Sequence, residues 1–180
     1  MTGGAPLSTL LLLGAFLLSL NAQRLLDLRA SARNERTLRA RGGYEVGRAH
    51  FPLFVGLHAL YPVALAAEVL ALGARPGRLW PLWLALFAAA QALRATVRQA
   101  LGELWTVRIY VVPGLAPVTR GPYRWLKHPN YVVVAVELAA GALLFGAWRT
   151  ALAATALYLV ALAIRIPVED KALAEGAARR

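Results

Sequence analysis

Five apolar stretches, at about 5–23, 51–73, 79–100, 132–147 and 149–166, divide this 180-residue chain and leave few folds open to it. A bilayer core of roughly 30 Å takes about 20 apolar residues in a helix rising about 1.5 Å per residue. The first three stretches reach that length, so each predicts a membrane span. The last two are shorter and meet at Gly146-Ala147-Trp148-Arg149, which predicts a helical hairpin held inside a bundle. Small residues crowd this pair: Ala139, Ala140, Gly141 and Ala142, then Ala151, Ala153, Ala154 and Ala156. Close helix packing in lipid uses such residues. The expected fold is all-α, an integral membrane helical bundle of five transmembrane helices. Residues 1–100 form its three-helix N-terminal region. Residues 101–180 hold a polar loop, the hairpin and a cytoplasmic tail.

The formal charge of +11 raises nucleic acid as a partner. The cations, however, sit between apolar blocks, and the chain has neither basic heptads nor zinc-finger spacing, so nucleic-acid binding is not expected. The absence of cysteine excludes a disulfide framework, a thiolate-held metal and a thiol nucleophile. Seventeen of the twenty Lys and Arg residues fall in 24–48, 94–127 and 165–180; the others are Arg75, Arg78 and Arg149. The positive-inside rule then puts the N-terminus outside and the C-terminus in the cytoplasm, with both long polar loops on the cytoplasmic face. No cation precedes Arg24, so the first stretch predicts a retained span and not a cleaved signal.

The polar chemistry concentrates in "GPYRWLKHPNYVVVAVE", residues 121–137. Pro129 turns His128 away from helical geometry and suits the first position of a helix. A helix therefore begins there, with free N–H groups facing the loop, where anions are favoured. Arg120, Arg124 and Lys127 add positive charge, and Tyr123, Trp125 and Tyr131 offer ring faces to a ligand cation. Such a loop fits a zwitterion; it equally fits an interfacial belt of aromatic and basic anchors. Glu137 lies inside a span, where an ionisable group is costly and faces a polar cavity or a buried partner. Arg165 and Glu169 lie four apart, on one helix face beside Pro167. His50 and His58, eight apart in "HFPLFVGLHALYP", line up near one helix face. No HExxH or similar pattern accompanies them, so a metal is not expected, and a place at a substrate entrance is the alternative.

Together, "RGPYRWLKHPNY", the small-residue hairpin and "RIPVEDKAL" resemble the isoprenylcysteine carboxyl methyltransferase family, over about residues 101–175. The resemblance implies an integral membrane enzyme that uses S-adenosylmethionine on a lipophilic acceptor. "YEVGRAHFPLFVGLHALYP" resembles a bacterial branch encoded beside type III polyketide synthases and associated with long-chain alkylpyrone or alkylresorcinol products. This implies the bacterial inner membrane. On the family pattern Tyr123, Lys127, His128, Pro129, Tyr131 and Glu169 are cofactor-binding, and Arg165 and Glu169 are catalytic. Glu137, His50 and His58 are assigned to the substrate side. Two positions depart from the pattern. Lys127 stands where Arg is usual, which turns a bidentate contact into a point charge, and Asp170 stands where a second Glu is usual. The chain has no GxGxxG and no βαβ pattern, so a Rossmann-type cofactor site is excluded. Two other readings remain open on sequence: a membrane NADPH-dependent reductase, and a small transporter or subunit without enzymatic activity.

Overall fold

A computed structural model describes residues 6–178. The first helix, α1 (Leu7–Ala40), is 34 residues long and runs well past the expected end at residue 23. The charges of 24–40 predict a polar loop, and the structure makes this stretch helix. Its Leu, Ala, Arg and Glu are good helix formers, and neither Gly nor Pro occurs between residues 15 and 41. Charge alone does not stop a helix. Gly42, at φ +79°, does so, and the Gly43 N–H closes the end on the Leu38 carbonyl at 2.8 Å. Arg29, Arg33, Arg36 and Arg39 therefore ride on a helix some 50 Å long at about 1.5 Å per residue.

After this turn, β1 (Tyr44–Val46) pairs antiparallel with β2 (Ile109–Val111), Tyr44 opposite Val111 and Val46 opposite Ile109. The all-α expectation is thus corrected by one small sheet. Its strands are three residues each and more than sixty residues apart, so neither shows a periodic run. Glu45 fastens the sheet: its carboxylate accepts from Arg108 Nη1 at 2.7 Å and from Arg48 Nε at 3.0 Å. Burial opposes ionisation of Glu45, but the hydrogen bond and charge of Arg108, aided by Arg48, hold its carboxyl below the usual range.

Helices α2 (Phe51–Leu70) and α3 (Trp80–Leu101) follow, each with proline in its first turn. α4 (Pro129–Leu143) and α5 (Trp148–Ala178) form the expected hairpin, turned at Gly146 with φ +71°. α5 is not short: it has 31 residues and stays helical through Pro167. Among the described residues three helical segments are long and apolar enough to cross a membrane: α1, Arg48–Leu70 and α5. α4, at 15 residues, is a shorter apolar helix. α3 has the length, but it carries Gln91, Arg94 and Arg98.

The interior joins Leu13 and Leu20 of α1, Phe54, Tyr61, Leu65 and Val69 of α2, Val134 and Leu138 of α4, and Tyr158 and Leu162 of α5. Large apolar side chains also cover the outside; Leu18 is 73% exposed, Leu60 67% and Leu152 65%. Water would penalise that surface and a bilayer would not. Gly141 allows one close approach, since a Cβ there would stand 2.8 Å from the Tyr61 hydroxyl, which donates to the Leu138 carbonyl at 3.1 Å.

At the hairpin end Glu68 is 4% exposed. It accepts from the N–H groups of Arg149 (3.1 Å) and Thr150 (2.7 Å) and from the Thr150 hydroxyl (2.7 Å). It caps the start of α5, where unpaired N–H groups favour a carboxylate. Glu68→Ala is expected to cost about 1–2 kcal/mol. Thermal unfolding in detergent checks this, and Glu68→Asp should lose less.

Candidate functional site

The opposite end of the bundle holds the residues singled out by sequence. Arg165 is 6% exposed. Its Nε donates to the Tyr131 hydroxyl at 2.6 Å, and its Nη2 donates to the Val107 carbonyl at 3.0 Å. The Tyr131 hydroxyl in turn donates to Glu169 Oε2, a carboxylate 3.9 Å from Arg165 Nε. The i, i+4 spacing of Arg165 and Glu169 puts both on one face of α5, and Tyr131, in the first turn of α4, completes the triad. The Arg165 guanidinium also lies 5.0 Å above the Phe54 ring and 5.7 Å from the Tyr131 ring. These contacts fix its orientation.

Next to the triad, His128 stacks on Tyr131 with ring centroids 5.2 Å apart, and its Nε2 is 2.9 Å from Asp170 Oδ1. Lys127 Nζ reaches the other oxygen of Asp170 at 2.7 Å. The hydrogen bond from Lys127, ahead of the contribution of His128, holds the Asp170 carboxyl below its usual value of 3.8 despite some burial. A lowered pKa gives stability that is present above that usual value and lost as pH falls through the folded value. Because Lys127 is 70% exposed, the pair is screened and worth little. Lys127→Ala should change stability at pH 7 by under about 0.5 kcal/mol and move the acid loss of His128–Asp170 coupling to higher pH. Thermal melts and a pH titration of the His128 environment would read these two effects. Tyr123, in the preceding turn (Gly121–Arg124), has its phenol pushed upward by burial and then by Glu169.

A cavity of about 980 Å³ opens between these groups. Tyr123, Lys127, His128, Tyr131, Arg165 and Glu169 border it, as does His58. Pro129 stands at the first position of α4, buried, and sets the direction of the helix end. His50 does not border the cavity; it is 7% exposed, with its ring 6.3 Å from Phe54 and its Nε2 without a hydrogen-bond partner among the described residues. Glu137 sits away from this wall, 2% exposed and bound by Arg94 through two hydrogen bonds, by Gln91 at 2.9 Å and by Arg24 at 3.2 Å. Asp27 joins the same group, accepting from Arg94 Nη1 at 3.0 Å and Arg98 Nη1 at 2.8 Å. Arg24, Asp27 and Arg94 had not been singled out by sequence. The one available signal was Arg94 inside an apolar stretch, which needs a buried partner as Glu137 does. Asn130 also borders the cavity, and its Oδ1 is buried without a hydrogen-bond partner among the described residues. Among the described residues no group of three or more His, Cys, Asp or Glu is placed to hold a metal ion.

A helical membrane protein whose charged and aromatic side chains converge on one end of an apolar bundle is the class that the fold and site define. Residues 83–175 match the isoprenylcysteine carboxyl methyltransferase (ICMT) family, and the chain belongs to that family. It is 37% identical over 153 residues to the uncharacterized protein YpbQ of Bacillus subtilis (strain 168), covering 85% of this chain and 91% of that one. An uncharacterized protein of Haemophilus influenzae (strain ATCC 51907 / DSM 11121 / KW20 / Rd) is 30% identical over 153 residues, covering 84% of this chain and 89% of the relative. No solved structure matches.

Proposed function

We propose that this protein is an integral membrane, S-adenosylmethionine-dependent methyltransferase for a lipophilic acceptor. The observation that carries the reading is the Arg165–Tyr131–Glu169 triad beside His128 and Asp170, at the point where a polar loop meets the apolar cavity. The donor set fits the cofactor. The N–H groups at the start of α4 suit a carboxylate, the face of Tyr123 suits a positive sulfur, and Glu169 and Asp170 suit an ammonium. Asn130 Oδ1, buried and without a partner among the described residues, is an acceptor for an amine. When bound, the cofactor supplies an electrophilic methyl group. The protein then has to bring the acceptor oxygen into line and exclude water.

Arg165 is held by Val107 and Tyr131 so that its guanidinium can orient an anionic acceptor oxygen. A carboxylate needs no base. A phenolic or enolic hydroxyl must lose a proton, and Glu169 is the carboxylate placed to take it. In this reading the membrane is crossed five times, with the N-terminus outside and the C-terminus, the sheet and the site at the cytoplasmic face of the bacterial inner membrane.

The acceptor tail enters from lipid. Leu25 and Leu28 of α1 and Val55 of α2 border the cavity, yet are 56%, 50% and 52% exposed, so the cavity reaches the outer surface between these helices. Each CH₂ kept out of water is worth about 0.8 kcal/mol, which favours this route over entry through the cytoplasm. Transfer of labelled methyl to a prenyl-cysteine analogue and to an alkylpyrone, each with short and long tails, tests the function. Long tails should give a kcat/KM at least about tenfold higher. Equal rates for both lengths would contradict lateral entry, and the absence of transfer to every acceptor would contradict the proposal.

A further inference from the structure

The arginines of α1 divide into two kinds. Arg24 donates to Glu137 at 3.2 Å, and Arg39 Nε donates to the Tyr110 hydroxyl at 2.7 Å. Arg29, Arg33 and Arg36 are exposed, and their guanidinium groups have no hydrogen bond, ion pair or ring contact among the described residues. At about 100° per residue these three fall within a stripe about 60° wide. No carboxylate shares it. Asp27 is buried on the other side of the helix, where Arg94 and Arg98 hold it, and Glu35 accepts from the Ser31 hydroxyl at 2.7 Å.

The same stripe is apolar in the turns before Arg29. Leu18 and Leu25 lie on it and are exposed, as side chains that face lipid are. From Leu7 to Leu28 the helix rises about 32 Å, close to a bilayer core of roughly 30 Å, so Arg29 stands at the hydrocarbon edge. Arg33 and Arg36 follow about 6 Å and 10 Å further along, against a head-group layer of about 5–8 Å per leaflet. The inner side of these turns belongs to the site. Ser31 Oγ accepts from the Val107 N–H at 3.0 Å, and the Val107 carbonyl accepts from Arg165 at 3.0 Å. The outer cations and the triad therefore stand at one level of the bundle.

We propose that Arg29, Arg33 and Arg36 form a binding surface for the phosphate groups of anionic phospholipid, beside the opening of the cavity. Two features of the stripe decide the partner. Its cations call for an anion, and the leucines that continue it call for that anion to carry apolar chains. A phospholipid meets both with one molecule, whereas an acidic protein surface or a nucleic acid meets only the first. Leu25 and Leu28 border the cavity, so lipid held at Arg29 flanks its lateral opening. This surface lies on the outside of α1 and binds lipid whether or not the site transfers methyl groups.

The test measures binding of radiolabelled dioleoylphosphatidylglycerol to the full-length protein in a neutral detergent, beside dioleoylphosphatidylcholine, which has the same tails. Wild type should bind the anionic lipid at least about tenfold more tightly, since each arginine near a charged surface is worth about fivefold in affinity. The preference should shrink as salt is raised from about 0.1 M to about 0.5 M. The triple variant Arg29→Gln/Arg33→Gln/Arg36→Gln should bring the two lipids within about twofold by weakening the anionic one alone. Arg29→Lys/Arg33→Lys/Arg36→Lys should keep most of the preference, because a point charge also binds phosphate. A wild type without preference would overturn the surface, a result that stands even if the variants do not fold. So would an unchanged preference in the triple Gln variant, which would put the anion on other cations. Displacement of the lipid by about 10 mM inorganic phosphate would point to a free-phosphate site, and tighter binding of a polyglutamate peptide than of the lipid would point to a protein partner; either result would also overturn the proposal.

Discussion

Replacing Arg165 with Ala is expected to lower methyl transfer by about 10²–10³, the usual loss when one preorganised charge-bearing donor is taken from a reacting centre. S-adenosylmethionine affinity should change by under about fivefold, less than half of that loss on a free-energy scale. The asymmetry follows from the contacts. Arg165 Nε and Nη2 are anchored to the Tyr131 hydroxyl and the Val107 carbonyl, while the cofactor is assigned to the start of α4 and the loop before it. Arg165→Lys should recover little, because a point charge cannot keep both anchors and still face the acceptor. Glu169→Gln should act differently. It should slow a hydroxyl acceptor more than a carboxylate, and its effect should shrink as pH rises and the hydroxyl ionises unaided. Initial rates on both acceptor types across pH, set beside cofactor titrations, separate these outcomes.

The second large effect concerns stability. Glu137→Ala leaves Arg94 and Arg24 without their shared carboxylate inside the bundle. Breaking a buried ion pair from one side costs about 3–5 kcal/mol, because the remaining charge stays buried. The melting temperature in detergent should fall by on the order of 10 °C. Arg94→Leu should be similarly damaging, since Asp27 loses its buried partner as well. The double variant Arg94→Leu/Glu137→Leu should be less damaged than the two single losses added together. Strict additivity would show that these groups act independently, contrary to the observed hydrogen bonds between Arg94 and Glu137.

The helices and the hairpin were legible in the sequence because hydropathy is a local signal. The start of α4 was legible because His128-Pro129 carries its own stereochemistry. The end of α1 was misjudged at residue 23, since charge was read as loop where only Gly42 and Gly43 break the helix. The strands at 44–46 and 109–111 had no local signature at all. The candidate site was legible as a set of motifs, and the structure brings His128, Tyr131, Arg165 and Glu169 together around one cavity. The partners of Glu137 were not, because Arg24, Gln91 and Arg94 reach it from two other helices. Pairing across a bundle leaves no spacing to read.

Titration of S-adenosylmethionine and of its demethylated product into the purified protein in detergent tests the central claim most directly. Saturable binding of both is predicted, weakened at least about tenfold in His128→Ala, which loses the stack on Tyr131 and the bond to Asp170. Binding of NADPH without binding of S-adenosylmethionine would contradict the account and put a reductase in its place.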